Sequence, residues 1–351
     1  MVWALVAWVI PSLSAQAFPI PPETLWSLTF EAEWVVWADV EAVRTLTIEE
    51  AIQANQEDGE SGAVARLRVR EAWKGQAREG EELEVHYEHN LICPAPAHFE
   101  QGLAVVAFLV HRAGKWRPVA LSYGTRYPAS NDDAEAYRRA VTLARGAQDR
   151  WTQARIVGRR LDLEAARVDW QVRVAAHPAT RWDGLYGLVP DADRAHSIYD
   201  WRKRNPARLT GAQREQLAHS FVERPPVDPS LPMMLMMLRG HADPRVDLAA
   251  ARALETVARH EEYRDWVSQS FDLLRARHGE DLQAHQPPTP EELRDRLRLD
   301  GLRTLSTLDA KRVESFAKEW ASFKQRHRLK PALLPLPVEP PVPGTGGDTP
   351  L

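Results

Sequence analysis

The chain has 351 residues, with 45 Lys and Arg against 49 Asp and Glu, a net charge of −4 and one cysteine. A balance this small and this mixed argues against a polyanion-binding protein, and a single cysteine excludes an internal disulfide framework. The length suffices for two domains that must stand on their hydrophobic cores.

Residues Met1 to Ile10 are apolar throughout and lead through Pro11 to Ala15-Gln16-Ala17. This is the pattern of a secretory signal peptide over residues 1–17, with cleavage after Ala17. The apolar run is too short to span a membrane, and the usual basic n-region is missing, since the first basic residue is Arg44. An N-terminal core strand is the competing reading. The expected address is export, periplasmic or secreted, with no membrane span after signal cleavage. From Phe18 to Ser130 acids exceed bases by about seven, while the remainder is slightly basic, which sets an expected domain boundary at 130/131.

After the prolines at 19–22, Glu23 to Glu33 reads as a short helix, with Leu25, Leu28 and Ala32 at helical spacing. Trp34 to Ile48, rich in Val, Trp and Thr, reads as a strand. Ala63 to Trp73 sets Ala65, Leu67, Val69 and Trp73 on one face against Arg66, Arg68 and Arg70 on the other. Glu82 to Glu88 repeats the alternation, with Leu83, Val85 and Tyr87 inward and Glu84 and His86 outward. Leu103 to Val110 is a continuous apolar run, and Lys115 to Ser122 can pair with it across Arg112-Ala113-Gly114. Five strands, with an irregular or helical connection between the third and fourth, predict an OB-type barrel over residues 18–130.

The segments Glu71-Ala72-Trp73-Lys74-Gly75, Leu91-Ile92-Cys93-Pro94, Val105-Val106-Ala107-Phe108-Leu109 and Ser122-Tyr123-Gly124 resemble the netrin-like OB domains related to tissue inhibitors of metalloproteinases, in their bacterial secreted form. The resemblance covers the first third of the chain. In that family, inhibition depends on a mature N-terminal cysteine that chelates the target's zinc. Here the mature chain would begin at Phe18, so the resemblance carries the fold and leaves that activity without a residue to perform it.

Two groups of side chains in this region could carry chemistry. His86, His89, Cys93 and His98 lie within thirteen residues, and imidazole and thiolate are zinc ligands. Strand alternation weakens the group, because His86 and His89 point to opposite faces unless a turn at Asn90 intervenes. The competing reading is an outward His86 and a surface loop, with Cys93 as either a buried small hydrophobe or an exposed thiol. Zinc is therefore the only cofactor that enters the expectations. Trp34, Trp37, Trp73 and Trp116 could form an aromatic binding surface for a glycan or a single strand, although such residues more often serve the core. The acidic balance argues against nucleic acid as a partner.

From residue 131 the strand signals end and a second, all-α domain is expected over 131–329. Ser130 with Asp133 caps a helix running toward Ala147, with Tyr137, Ala140, Val141 and Ala144 on one side. Asp162 to Ala176 is helical up to Pro178, Thr210 with Gln213 forms a capping box, and Asp243-Pro244 starts another helix. Thr289-Pro290 repeats that start signal. Leu231 to Leu238, apolar all round and Met-rich, predicts a buried inner helix, and with 243–257 it resembles a HEAT-type hairpin. A final helix near Asp309 to His327 places Val313, Phe316, Ala317, Trp320 and Phe323 on one stripe. The Pro-rich stretch 330–351 reads as a disordered tail.

The predicted class is thus α+β in two domains: a five-stranded OB-type barrel followed by a HEAT-like helical bundle. No Gly-x-Ser-x-Gly elbow, phosphate-binding Gly loop or His-Glu-x-x-His helix occurs in the sequence. The expected function is non-catalytic binding of another protein. A zinc-binding protein or metal-dependent enzyme using His86, His89, Cys93 and His98 is the alternative.

Overall fold

The computed structural model describes residues 23–58, 62–88, 95–189, 208–259, 265–280 and 314–335. The proposed signal peptide, the Thr289-Pro290 helix start, Val313, and residues 336–351 of the expected tail lie outside them.

The strands are β1 (Trp34–Thr45), β2 (Ala63–Lys74), β3 (Glu82–Tyr87), β4 (Ala104–Arg112) and β5 (Lys115–Pro118), with a two-residue β6 (Thr125–Arg126) on the far side of β4. Their order is β1-β2-β3-β5-β4, and β4 returns to pair with β1 from Trp34↔Leu109 to Asp39↔Ala104, so five strands close into an OB-like barrel. All pairs are antiparallel except β3 with β5, which meet at Val85↔Trp116. The β4–β5 hairpin turns on Ala113 and Gly114, both in the left-handed region (φ 48° and 78°), as a two-residue hairpin turn requires.

The barrel interior follows the period-two pattern. Val36, Ala38 and Val40 of β1, Ala63, Ala65, Leu67 and Val69 of β2, Leu83, Val85 and Tyr87 of β3, and Val105, Ala107 and Leu109 of β4 form one core. The intervening Val106 and Phe108 of β4 and Val35 of β1 are also fully buried, because helices cover the outside of these strands. That is why Val105 to Leu109 reads as an unbroken apolar run: both of its faces are inside.

Three sequence expectations are corrected. The first strand stops at Thr45 instead of continuing to Ile48, and α2 (Ile48–Asp58) follows. The cause is a reciprocal cap: Glu50 N–H donates to Thr47 Oγ1 (3.2 Å) and Thr47 N–H to Glu50 Oε2 (2.8 Å). The fifth strand ends at Pro118 instead of Ser122, since Ala120 and Leu121 turn left-handed into a short 3₁₀ segment, Leu121–Gly124. Trp73 does not share a face with Val69. The β1–β2 register slips between Trp37 and Ala38, so a bulge puts Ala72 against the barrel core and Trp73 outside it.

The outer core joins barrel and helices. Leu25 and Leu28 of α1 (Leu25–Glu31) and Tyr137, Ala140, Val141 and Ala144 of α3 (Asn131–Ile156) pack on Val35, Trp73, Val106 and Phe108. Trp170 of α4 (Leu163–Val174) closes this layer, its indole N–H donating to Ala140 O (2.8 Å). Ser130 and Thr210 accept the capping bonds the sequence predicts, from Asp133 and Gln213, and Asp162 caps α4 in the same way by accepting from Ala165.

A second helical core contains α5 (Arg181–Leu188), α6 (Gly211–Glu223), α7 (Ser230–Met237), α8 (Pro244–Arg259), α9 (Asp265–Arg277) and α10, residues 314–326. Helix α7 is buried on every side, including Met233, Met234, Met236 and Met237. On α10 the stripe is Phe316, Trp320 and Phe323, while Ala317 faces solvent. The buried Glu255 of α8 accepts from Trp320 Nε1 (2.8 Å) and Lys324 Nζ (2.5 Å), which fixes α10 on α8. Burial raises the Glu280 carboxyl, but hydrogen bonds from Arg326, His327 and Arg275 outweigh it and bring it to about 2. Residues 330–335 follow α10 without regular secondary structure, and Leu334 N–H donates to Thr256 Oγ1 (2.8 Å).

Helix α5 ties the two cores with opposite charges two residues apart. Asp183 accepts from Leu25 N–H (2.8 Å), the first amide of α1, and lies 3.6 Å from Arg126 of β6. Arg181 donates to Arg224 O (2.7 Å) at the end of α6 and to Ala175 O (3.4 Å) at the end of α4. At the other end of α1, Lys74 Nζ donates to Thr29 O (2.7 Å). Burial pushes the Asp183 carboxyl above its ordinary value, against the opposing pull of Arg126 and the Leu25 amide.

Asp183→Ala leaves a buried helix-start amide without its partner and removes the carboxylate beside Arg126, which keeps the Tyr123, Thr125 and Glu23 carbonyls, and it should cost about 2 kcal/mol in urea unfolding near neutral pH. Because the folded carboxyl titrates above the unfolded one, this site's contribution is complete below the ordinary aspartate range. It declines as pH rises through the folded value. The stability gap between wild type and Asp183→Ala should therefore widen on acidification toward pH 3.8, measured as urea midpoints across pH.

Candidate binding site at the barrel rim

The four tryptophans divide between two places. Trp37 and Trp73 are on the outer side of the barrel with α1 and α3; Trp73 is buried, and Arg70 lies 4.9 Å over the Trp37 ring. Trp34 and Trp116 meet at the barrel rim, ring centres 4.2 Å apart at 32°, with His111 edge-on to Trp116 at 5.0 Å. The two pairs therefore do not form one continuous aromatic surface.

Trp34 is held by backbone. A Cβ on Gly75 would fall 2.2 Å from Trp34 Cδ1, and Gly75 has φ +93°, so only glycine lets the chain pass beneath the indole. The β2–β3 connection that follows lines a groove of about 540 Å³ with Trp34, Gln76, Arg78, Glu79, Gly80 and Glu81. The groove is shallow and open to solvent. The loop is pinned: Arg78 N–H donates to Glu81 Oε2 (2.8 Å), Gly80 N–H to Val69 O (2.8 Å) and Val69 N–H to Glu81 O (2.9 Å).

The groove thus offers one aromatic wall, a guanidinium and amide as donors, and carboxylates as acceptors. Among the described residues the Arg78 guanidinium makes no ion pair. A side chain or ring seated on Trp34 would place its polar groups within reach of Arg78 and Gln76. Trp34 was legible as a candidate, but the groove's polar side, residues 76–81, was not singled out. Its signal is two glycines bracketing polar residues between two strands.

Of the four candidate zinc ligands, His89 and Cys93 lie outside the described residues. His86 is half-buried on the outer face of β3, where burial, then Lys115 and Arg117, lower its pKa; its Nδ1 is sealed without a partner. His98 is exposed, its Nε2 3.7 Å from Glu100, and its carbonyl accepts from Tyr127 OH (2.7 Å). Among the described residues no three His, Cys, Asp or Glu side chains are grouped to hold a metal. The loop from 95 to 103 contains no helix, and its Phe99 packs on Tyr87 at the end of the barrel core.

The fold and the groove together define an OB-like barrel protein with a helical region packed on its outer face. Comparisons with protein-family models, curated proteins and solved structures give no match to this chain. No described helix is long and apolar enough to cross a membrane.

Gly75→Ala forces a left-handed alanine into the Trp34 ring and should destabilise the fold by about 2 kcal/mol or more. The check is a urea titration read by tryptophan fluorescence. An unchanged midpoint would mean that Trp34 does not rest on this backbone.

Proposed function

We propose that this chain is an exported, non-catalytic binding protein that holds a segment of another protein in the rim groove at Trp34. The observation that carries this reading is the groove itself: an indole braced by Trp116 and Gly75, facing an unpaired Arg78 on a pinned loop. Trp and Arg are the residue types that dominate protein–protein hot spots. Export rests on the apolar 1–10 segment and the Ala15-Gln16-Ala17 pattern. A relationship to netrin-like domains is part of the proposal. It is supported by the sequence segments quoted above and is compatible with the strand order, but it does not extend to zinc chelation at the N-terminus.

Replacing Gln76 by a photo-crosslinking amino acid and irradiating cells of the native host should give a discrete protein adduct. Adding Arg78→Glu, an exposed change outside the core, should lower its yield about tenfold. No adduct, or one indifferent to both Arg78→Glu and Trp34→Ala, overturns the proposal.

The second reading is a zinc-binding protein or metal-dependent enzyme using His86, His89, Cys93 and His98. What favours it is the His86 imidazole, which burial biases toward the neutral form that ligates metals. Elemental analysis of untagged protein decides: one zinc per chain, lost in a Cys93→Ala/His98→Ala variant, supports this reading, and folded metal-free protein removes it.

A further inference from the structure

The corner between α3 and α4 carries an exposed apolar tip inside a basic collar. Ile156, Val157 and Leu161 are 71%, 65% and 50% exposed, so three of the nine exposed large apolar side chains among the described residues fall within six residues. Around them stand Arg150, Arg155, Arg159 and Arg160, with no carboxylate between Asp149 and Asp162. In a chain of net charge −4 this is a local reversal of sign.

The tip is built, not frayed. Helix α3 ends at a left-handed Gly158 (φ +68°), with Arg159 N–H donating to Ala154 O (2.7 Å) and Gly158 N–H to Arg155 O (3.1 Å). This paired C-terminal cap holds the backbone of Val157, Gly158 and Arg159 in a defined turn. Trp151 stands one turn back under the Arg155 guanidinium (4.7 Å), and with Thr152, Arg155 and Ile156 it lines a shallow hollow of about 260 Å³. Among the described residues Arg150, Arg159 and Arg160 make no ion pair.

We propose that this corner docks peripherally on an anionic lipid surface, with Ile156, Val157 and Leu161 entering the headgroup boundary and the arginines pairing with lipid phosphates. Aliphatic side chains at a tip, a neighbouring indole and unpaired guanidiniums are the composition that interfacial binding selects. An acidic protein surface would satisfy the arginines but gives no reason for three aliphatic side chains projecting into water, and a second copy of the chain would bring four like charges against four. This site is separate from the rim groove, and its failure would leave the groove proposal standing.

The test is co-sedimentation of the purified full chain with vesicles of phosphatidylcholine alone or mixed with phosphatidylglycerol. Binding should require phosphatidylglycerol and weaken with salt. Ile156→Asp/Val157→Asp should lower the partition coefficient about tenfold, and Arg159→Glu/Arg160→Glu by about 30-fold or more. All four positions are exposed, so thermal melts of both variants should match wild type. Absence of binding to anionic vesicles overturns the proposal, as does equal binding to neutral vesicles or binding undiminished in both variants. Lipid-free self-association abolished by Ile156→Asp would assign the tip to a second copy instead.

Discussion

The architecture depends on how the first turn of α5 places charge against helix ends. Arg181 and Asp183 are two residues apart, nearly sealed from water, and each meets the helix pole that suits its sign: Arg181 the carbonyl ends of α4 and α6, Asp183 the amide end of α1. Helix ends carry unsatisfied groups that must find partners when buried. Here one turn satisfies three of them. Helix α1 is too short to be stable alone, and it is held between Asp183 at its start and Lys74 at its end, one from the helical region and one from the barrel. Its apolar side then supplies Leu25 and Leu28 to the core that covers the outer strands. Gly184 lets this happen, because any Cβ there would sit 2.4 Å from Gln171 O on α4.

Covering one side of the barrel leaves its other surfaces free for different work. On the side facing α1 and α3, both faces of β4 are apolar; elsewhere the outer residues of β1 and β2 form an exposed ladder, Arg70 with Asp39 and Arg68 with Glu41 and Glu82. Exposed pairs of this kind contribute little to stability. They do satisfy the charges of the ladder, so they have little left to offer a ligand. Arg78, beyond the bulge and past Gly75, has no such partner among the described residues and stands beside the exposed side of the Trp34 groove.

Much of this was readable in the residues. Alternation placed Leu83, Val85 and Tyr87 inward, helical spacing placed Tyr137, Ala140, Val141 and Ala144 in a core, and side-chain caps located the starts of α3 and α6. What failed was local and has physical causes. The bulge that turns Trp73 outward is a property of how β1 and β2 pair, not of β2 alone, and strand parity read within one segment carries straight through it. The start of α2 was legible as Thr47-x-x-Glu50, but the Val- and Thr-rich residues before it extended the strand reading over the cap. Positive φ at Ala120 and Leu121, which cuts β5 short, has no compositional signal, since neither is glycine or asparagine.

The candidate sites were less legible than the fold, for a reason that the tryptophans illustrate. A sequence ranks residues by type, and four indoles in one barrel look equivalent. Their roles separate only through pairing: Trp34 reaches Trp116 because β1 and β5 both neighbour β4 at the same end, with Trp34 opposite Leu109 and Trp116 opposite His111. Trp37, three residues along β1, lies on the opposite side of the sheet and joins the helices. The same constraint governs the polar half of the groove, whose residues are unremarkable in type and acquire a role only because Gly75 brings them past Trp34. The groove at Trp34 is therefore specified by strand closure and one glycine before it is specified by any chemically distinctive side chain.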